Sequence, residues 1–233
     1  MISEQGALVA TDLTCRRGGR RLFRGLNLRL EPGQALWLRG PNGCGKTSLL
    51  RILAGLVRPA EGEARFDGTP VHALSPAQRG RLRYIGHANA LKAELRVGEA
   101  ISFLAGLHTD GVESLRTSRE CIARALEQVG LAGRLDHFVA TLSQGQRRKA
   151  ALARLMLDDE PRTWLLDEPL DALDADGVSR FAAWLDAHAE RGGAVLMTSH
   201  APLASRVLRE FELAPAGPLS TAGAVANHET MAG

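Results

Sequence analysis

GPNGCGKT, residues 40–47, decides how the rest of the chain is read. It fits G-x-x-x-x-G-K-[ST], it follows the apolar run ALWLRG (35–40), and it opens KTSLLRILAGL (46–56). Apolar residues at 49, 50, 52, 53 and 56 of that last stretch share one helical face, which ends near Pro59. Strand, glycine-rich turn and helix in this order are what a phosphate cradle requires. Glycines let the backbone curl round phosphate oxygens and aim successive N–H groups at them, and the helix N-terminus adds its partial positive charge. Gly40, Pro41, Asn42, Gly43, Cys44, Gly45, Lys46 and Thr47, with Ser48 beside them, are therefore candidate nucleotide-binding residues. Lys46 is placed to reach the β and γ phosphates, and the Thr47 hydroxyl to ligate Mg²⁺. Lys46 is one of three lysines in a chain whose other basic residues are arginine, so its position carries weight. The competing reading is a glycine-rich turn that caps a helix.

Outward from this motif the chain alternates. Ahead of it lie the β-type runs ALVATDL and LNLRL, separated by RRGGRR, and EPGQ then marks a turn before ALWLRG. After it comes EARFDG, a strand followed by a turn. From about 97 to 133 the sequence reads as helical, with Ile122, Leu126 and Val129 on one face. Strand signals return at TWLLD (163–167) and AVLMTS (194–199), with the helix GVSRFAAWLDAHAER (177–191) between them. This pattern predicts an α/β fold, a parallel sheet with crossover helices and an inserted helical region near 89–141. A single domain is expected over residues 1–214, and residues 215–233, rich in Ala, Gly, Pro and Thr, read as a mobile tail.

Composition narrows the class. With 233 residues and 45% hydrophobic content the chain can bury one substantial core, so disorder is a poor description. A net charge of +3 from 29 basic and 26 acidic side chains points to a solvated arginine-rich surface before any nucleic-acid partner. Cys15, Cys44 and Cys121 are far apart and lack metal-ligand spacing, which fits reduced thiols. The opening MISEQGALVATDL lacks the pattern of a secretory signal, and no apolar run approaches the ~18 residues that cross a bilayer. Work at a membrane would then require another chain as anchor.

Two strand ends supply candidate chemistry. TWLLDE places Asp167 and Glu168 at the C-terminal edge of the sheet. Asp167 can there order a Mg²⁺ shell through water, while Glu168 can polarise an attacking water. AVLMTSH ends at His200, a candidate sensor of the γ-phosphate. Singly, each is an ordinary strand end; beside a phosphate cradle they form a set. LSQGQRRKAALARLML (142–157) adds a second anion-binding helix start, offering the Ser143 hydroxyl and the Gly145 N–H. A second cradle in a chain that already has one points to a second molecule.

These five motifs, GPNGCGKT, LSQGQ, WLLDE, DALD (171–174) and His200, resemble in their order the ATP-binding cassette (ABC) family over roughly residues 6–213. The resemblance implies a P-loop NTPase with a RecA-like parallel core, an N-terminal antiparallel β subdomain and an inserted α-helical subdomain. It also implies an Mg²⁺-dependent ATPase whose Leu142, Ser143, Gln144, Gly145 and Gln146 serve the ATP of a second copy. Lys46, Glu168 and His200 take catalytic roles, Thr47 and Asp167 the metal, and Asp174 the coupling of the two sites. Gln144 stands where glycine is most common in the family. Phrases at 55–71, 84–95 and 142–157 are similar to the haem-exporter ATP-binding subunits of the cytochrome c maturation system. In that resemblance the partners are integral membrane permease subunits and, indirectly, a periplasmic haem chaperone, with this chain on the cytoplasmic face of the inner membrane and no nucleic acid bound. Arg17, in TCRRGGRR, falls where many members stack an aromatic ring on adenine; a guanidinium can stack there instead, or Arg17 is a solvated loop charge.

Two other functions compete. A cassette for a drug or lipid transporter differs mainly in its membrane partner. A soluble ATPase acting on nucleic acid or the ribosome is disfavoured by the single cassette and by Lys46 and Leu142 standing 96 positions apart. One departure stands out in RYIGHANALKAEL (83–95): Ala88 occupies the position of the family's Q-loop glutamine. Asn89 could supply the amide if the loop shifts by one residue, or water fills the gap.

Overall fold

The computed structural model of the chain describes residues 6–106, 118–157 and 160–215. Two sheets organise it. β1 (Leu8–Arg17) pairs antiparallel with β2 (Arg20–Leu30) through a hairpin whose Gly18 and Gly19 both have positive φ. On its other side β1 pairs antiparallel with β4 (Glu61–Phe66), and the two-residue β5 (Thr69–Pro70) completes this sheet. The runs ALVATDL, LNLRL and EARFDG thus share one antiparallel layer.

The second sheet is parallel throughout. It takes the order β6 (Leu82–Ile85), β7 (Thr163–Leu166), β8 (Ala194–Thr198), β3 (Ala35–Arg39), β9 (Leu208–Glu212). Every residue of β7 and β8 is buried, because helices and the first sheet cover both faces. That is why these strands read as unbroken apolar runs and not as alternating ones. Truncating one of their side chains, such as Leu196→Ala, is expected to cost about 2–5 kcal/mol. Edge strand β9 lies outside the strand signals read from sequence; its exposed Arg209, Glu210 and Glu212 leave no apolar pattern to find.

α1 (Lys46–Leu53) buries Leu49, Leu50, Ile52 and Leu53 between the two sheets, the face that the spacing predicts. A short α2 (Pro76–Gly80) leads into β6. α6 (Ala175–Glu190) covers the other face of the parallel sheet through Phe181 and Leu185. Between β6 and β7 run α3 (Val97–Gly106), α4 (Arg119–Gln128) and α5 (Gln144–Ala153), which form their own core around Ile101, Ile122, Leu126 and Val139. The expected tail lies outside the described residues apart from its first residue, and no helix among the described residues is long and apolar enough to cross a membrane.

The consequence for function is positional. β3, β6, β7 and β8 are parallel neighbours, so their C-terminal ends deliver residues 40, 86, 167 and 199 to one edge.

Candidate active site

At that edge a cleft of about 490 Å³ is lined by Arg17, Leu22, Asn42, Gly43, Gly45, Lys46, Thr47, Ser48, His87, Asp167, Glu168, Asp171 and His200. Local backbone geometry explains its first wall. Gly45 has φ 110°, and a Cβ there would lie 3.0 Å from the Phe23 ring; Gly40, at φ 145°, would meet the Leu213 carbonyl at 2.7 Å. Only glycine fits either place without displacement. No side chain caps the start of α1, so its first-turn N–H groups face the cleft as an anion site. Lys46 Nζ folds back to donate to the carbonyls of Gly40 (2.7 Å) and Pro41 (3.4 Å), acceptors that phosphate oxygens can replace.

The opposite wall is a carboxylate pair with unlike surroundings. Asp167 is 1% exposed, and its Oδ1 accepts from the hydroxyls of Thr47 (3.0 Å) and Thr198 (3.1 Å). Its Oδ2 is buried with no hydrogen-bond partner among the described residues. An orphaned carboxylate oxygen beside a threonine hydroxyl suits a divalent cation, whose charge would offset the cost of burying it. Glu168, the next residue, has φ 51°, in the left-handed region that a non-glycine residue enters at a cost of about 1–3 kcal/mol. Its N–H donates to Thr198 Oγ1 (2.8 Å), which fixes that turn of the chain. Oε2 of Glu168 accepts the His200 N–H (3.0 Å), and His200 Nε2 stands 3.6 Å from Oε1. A carboxylate held this way points into the cleft where a terminal phosphate and a water would meet.

Residues 23–171 match the ABC transporter family. The chain belongs to it. A curated relative from Pseudomonas syringae pv. syringae (strain B728a), named "Cytochrome c biogenesis ATP-binding export protein CcmA", is 47% identical over 202 residues, covering 86% of this chain and 91% of the relative. The protein of the same name from Haemophilus influenzae is 42% identical over 211 residues, covering 91% and 97%. Among solved structures, the dimeric bacterial ABC transporter cassette MJ0796 aligns with TM-score 0.76 at 22% identity, over 88% of this chain and 94% of that one. Its post-hydrolysis form, bound to ADP and phosphate, aligns with TM-score 0.73 at 23% identity, over 83% and 88%. These structures speak for the fold: a P-loop NTPase cassette, as the motifs implied. The resemblance to ABC ATPases, and within them to the cytochrome c maturation group, is borne out.

The LSQGQ motif of this ABC chain and Asp174 sit away from the cleft, although Asp171, the first residue of DALD, lines it. None of Leu142, Ser143, Gln144, Gly145 and Gln146 lines it. Ser143 instead caps α5: its hydroxyl accepts from the Gln146 N–H (3.2 Å), and Gln146 Oε1 accepts from the Ser143 N–H (3.0 Å). Gly145 is required by packing, since a Cβ there would lie 2.5 Å from the Ala172 carbonyl, itself in a residue at φ 61°. Asp174 caps α6 through the Gly177 N–H (3.0 Å) and pairs with Lys149 at 2.8 Å. The Lys149 hydrogen bond, with that from Gly177, holds the Asp174 carboxyl below the usual range.

In the loop after β6, Asn89 is not among the residues that line the cleft; its Oδ1 accepts from Arg148 Nη1 at 3.0 Å. His87 lines the cleft in its place, with Nδ1 3.3 Å from Asp171 Oδ2. Sequence reading missed His87, Asp171 as a cleft residue, Thr198 and Arg148. Thr198 had a signal, a hydroxyl at the end of a buried strand two residues before His200. Arg148 had none, being one arginine among many.

Proposed function

We propose that this chain is the ATP-hydrolysing subunit of a membrane ABC complex that serves haem export, or release of a haem chaperone, in cytochrome c maturation. The observation that carries the ATPase reading is the Asp167–Glu168 pair, held by Thr47, Thr198 and His200 directly across from Lys46 and the uncapped start of α1. The curated relatives' names carry the cytochrome c assignment.

In this reading residues 40–48 bind the phosphates of ATP, and Lys46 exchanges its loop carbonyls for β and γ oxygens. Arg17, at the β1 side of the cleft, stacks on the base. Thr47 and the free Oδ2 of Asp167 would hold Mg²⁺, Asp167 through water; bound there, the ion neutralises charge on the β and γ phosphates. Glu168 takes the proton of the attacking water as the bond from the γ-phosphorus to its bridging oxygen breaks, and phosphate and ADP leave. The His200 N–H keeps Glu168 aimed. Residues 142–146, absent from this chain's own cleft, serve the nucleotide of a second copy, and Asp174 lies on the turn that couples the two.

The cassette spans residues 1–214, with the helical subdomain about 89–141 inserted, and works at the cytoplasmic face of the inner membrane on permease subunits. Two experiments test these levels separately. Glu168→Gln should lower kcat by roughly 10²- to 10⁴-fold, the range for removing a general base, while ATP binding persists; equal rates would reject the assignment. Lys46→Ala, expressed with the membrane subunits in cells lacking the native cassette, should abolish formation of c-type cytochromes that the unaltered chain restores. Failure of the unaltered chain to restore them would reject the haem assignment alone.

A further inference from the structure

Arg148 is the most fully engaged charge described in the molecule. It lies in α5 only 2% exposed, and it donates five hydrogen bonds: to the carbonyls of Gly86 (2.9 Å), Asp167 (2.8 Å), Glu168 (2.7 Å) and Pro169 (3.3 Å), and to Asn89 Oδ1 (3.0 Å). Burial depresses its pKa, while Asp171, Asp167 and Glu168 work the other way to keep it charged. A buried guanidinium is costly unless every donor is used, and here one fork spans three separate elements. These are the loop after β6, the end of β7 and the helix that begins with LSQGQ.

Two features of the acceptors point beyond packing. Glu168 occupies a left-handed backbone conformation, clasped at its N–H by Thr198 and at its carbonyl by Arg148. Such strain persists only where the surroundings hold it, and here Arg148 shares the Glu168 carbonyl with the Asp171 N–H (3.2 Å) while the His200 N–H holds the carboxylate. Asn89 belongs to the loop in which Ala88 removes the glutamine amide, and its amide oxygen is turned toward Arg148. A polar link from that loop to the backbone of Glu168 therefore runs through the guanidinium, alongside the path from His87 through Asp171, whose N–H donates to the same Glu168 carbonyl (3.2 Å).

We propose that Arg148 is the positioning residue that couples the loop at 86–89 and helix α5 to Glu168. Movement of α5 then alters the aim of Glu168 directly, so the state of the helical region is read at the hydrolytic carboxylate. This rests on the reading of Glu168 given above.

The test compares Arg148→Gln, Arg148→Lys, Asn89→Ala and the double variant Arg148→Gln/Asn89→Ala in the full chain, using Mg²⁺-ATP hydrolysis, equilibrium ATP binding and thermal unfolding. Loss of charge-assisted hydrogen bonds predicts that Arg148→Gln loses roughly 10- to 100-fold in kcat with KM and ATP affinity within about 2-fold. Arg148→Lys should recover part of that loss, Asn89→Ala should lose less than Arg148→Gln, and the double variant should be no slower than Arg148→Gln alone. Wild-type kcat in Arg148→Gln, or losses in kcat and ATP affinity that simply track the folded fraction, would overturn the proposal. Should Arg148→Gln fail to fold, Asn89→Ala decides: a selective fall in kcat supports the coupling, and an unchanged kcat overturns it. An unaltered chain without ATPase activity would overturn the Glu168 reading and this one together, whereas active wild type with unaffected variants overturns only this one.

Discussion

Two loops leave the same edge of the parallel sheet, and they keep their chemistry by different means. After β3, residues 40–47 use main-chain N–H groups, two glycines that tolerate no Cβ, and one lysine. After β6, residues 86–89 use side chains, and the one at 88 is a methyl group. A cradle made of backbone survives most substitution and stays visible as a glycine pattern; a loop that works through side chains can depend on a distant residue. Here that residue is Arg148, 59 positions from Asn89 in sequence and within hydrogen-bond distance of it.

The sharpest way to break this comparison is to remove the cradle's single indispensable side chain. Lys46→Ala should lower kcat/KM by roughly 10³-fold, the worth of two charge-assisted contacts to phosphate. Steady-state hydrolysis, with ATP binding measured alongside, checks it, and a fall under about 10-fold would mean that backbone groups alone suffice. Thr198→Val comes next. It leaves the Glu168 N–H and Asp167 Oδ1 each short of a partner in a buried site, a penalty of about 1–3 kcal/mol for the first of these. Turnover should fall roughly 10- to 100-fold with a lower unfolding temperature, and Thr198→Ser should restore most of it.

What could be read in advance follows the same division. The alternation of strands and helices, the buried runs of β7 and β8 and the face of α1 are set by local periodicity, so they were legible. So were Lys46, Thr47, Asp167, Glu168 and His200, because each sits at a strand end or turn whose position local sequence fixes. Edge strand β9 was not legible, since three of its five residues are exposed charges that leave no apolar alternation. Arg148 and the turning of Asn89 were not legible either: both depend on α5 packing over the ends of β6 and β7, a tertiary arrangement with no local trace. Ser143 shows a third case. Its motif reads as an anion site, yet within one chain its hydroxyl closes a capping box, and the role proposed for it above calls for a second molecule.

The smallest expected effect is also the one that bears most closely on the second loop. Ala88→Gln returns the amide to a position beside His87, which lines the cleft, and beside Asn89, which Arg148 holds. If a preorganised polar contact to the attacking water is what the loop lacks, hydrolysis should rise by up to roughly 10-fold, well below the span of a full oxyanion contact because Glu168 is already aimed. If the loop acts through Arg148, the new amide adds little to the isolated chain and shows instead as altered coupling to the membrane subunits. Measuring ATPase activity with and without those subunits separates the two. A rise in the isolated chain assigns the missing amide to catalysis, a change seen only in the complex assigns it to coupling, and unchanged kinetics in both removes any part for residue 88.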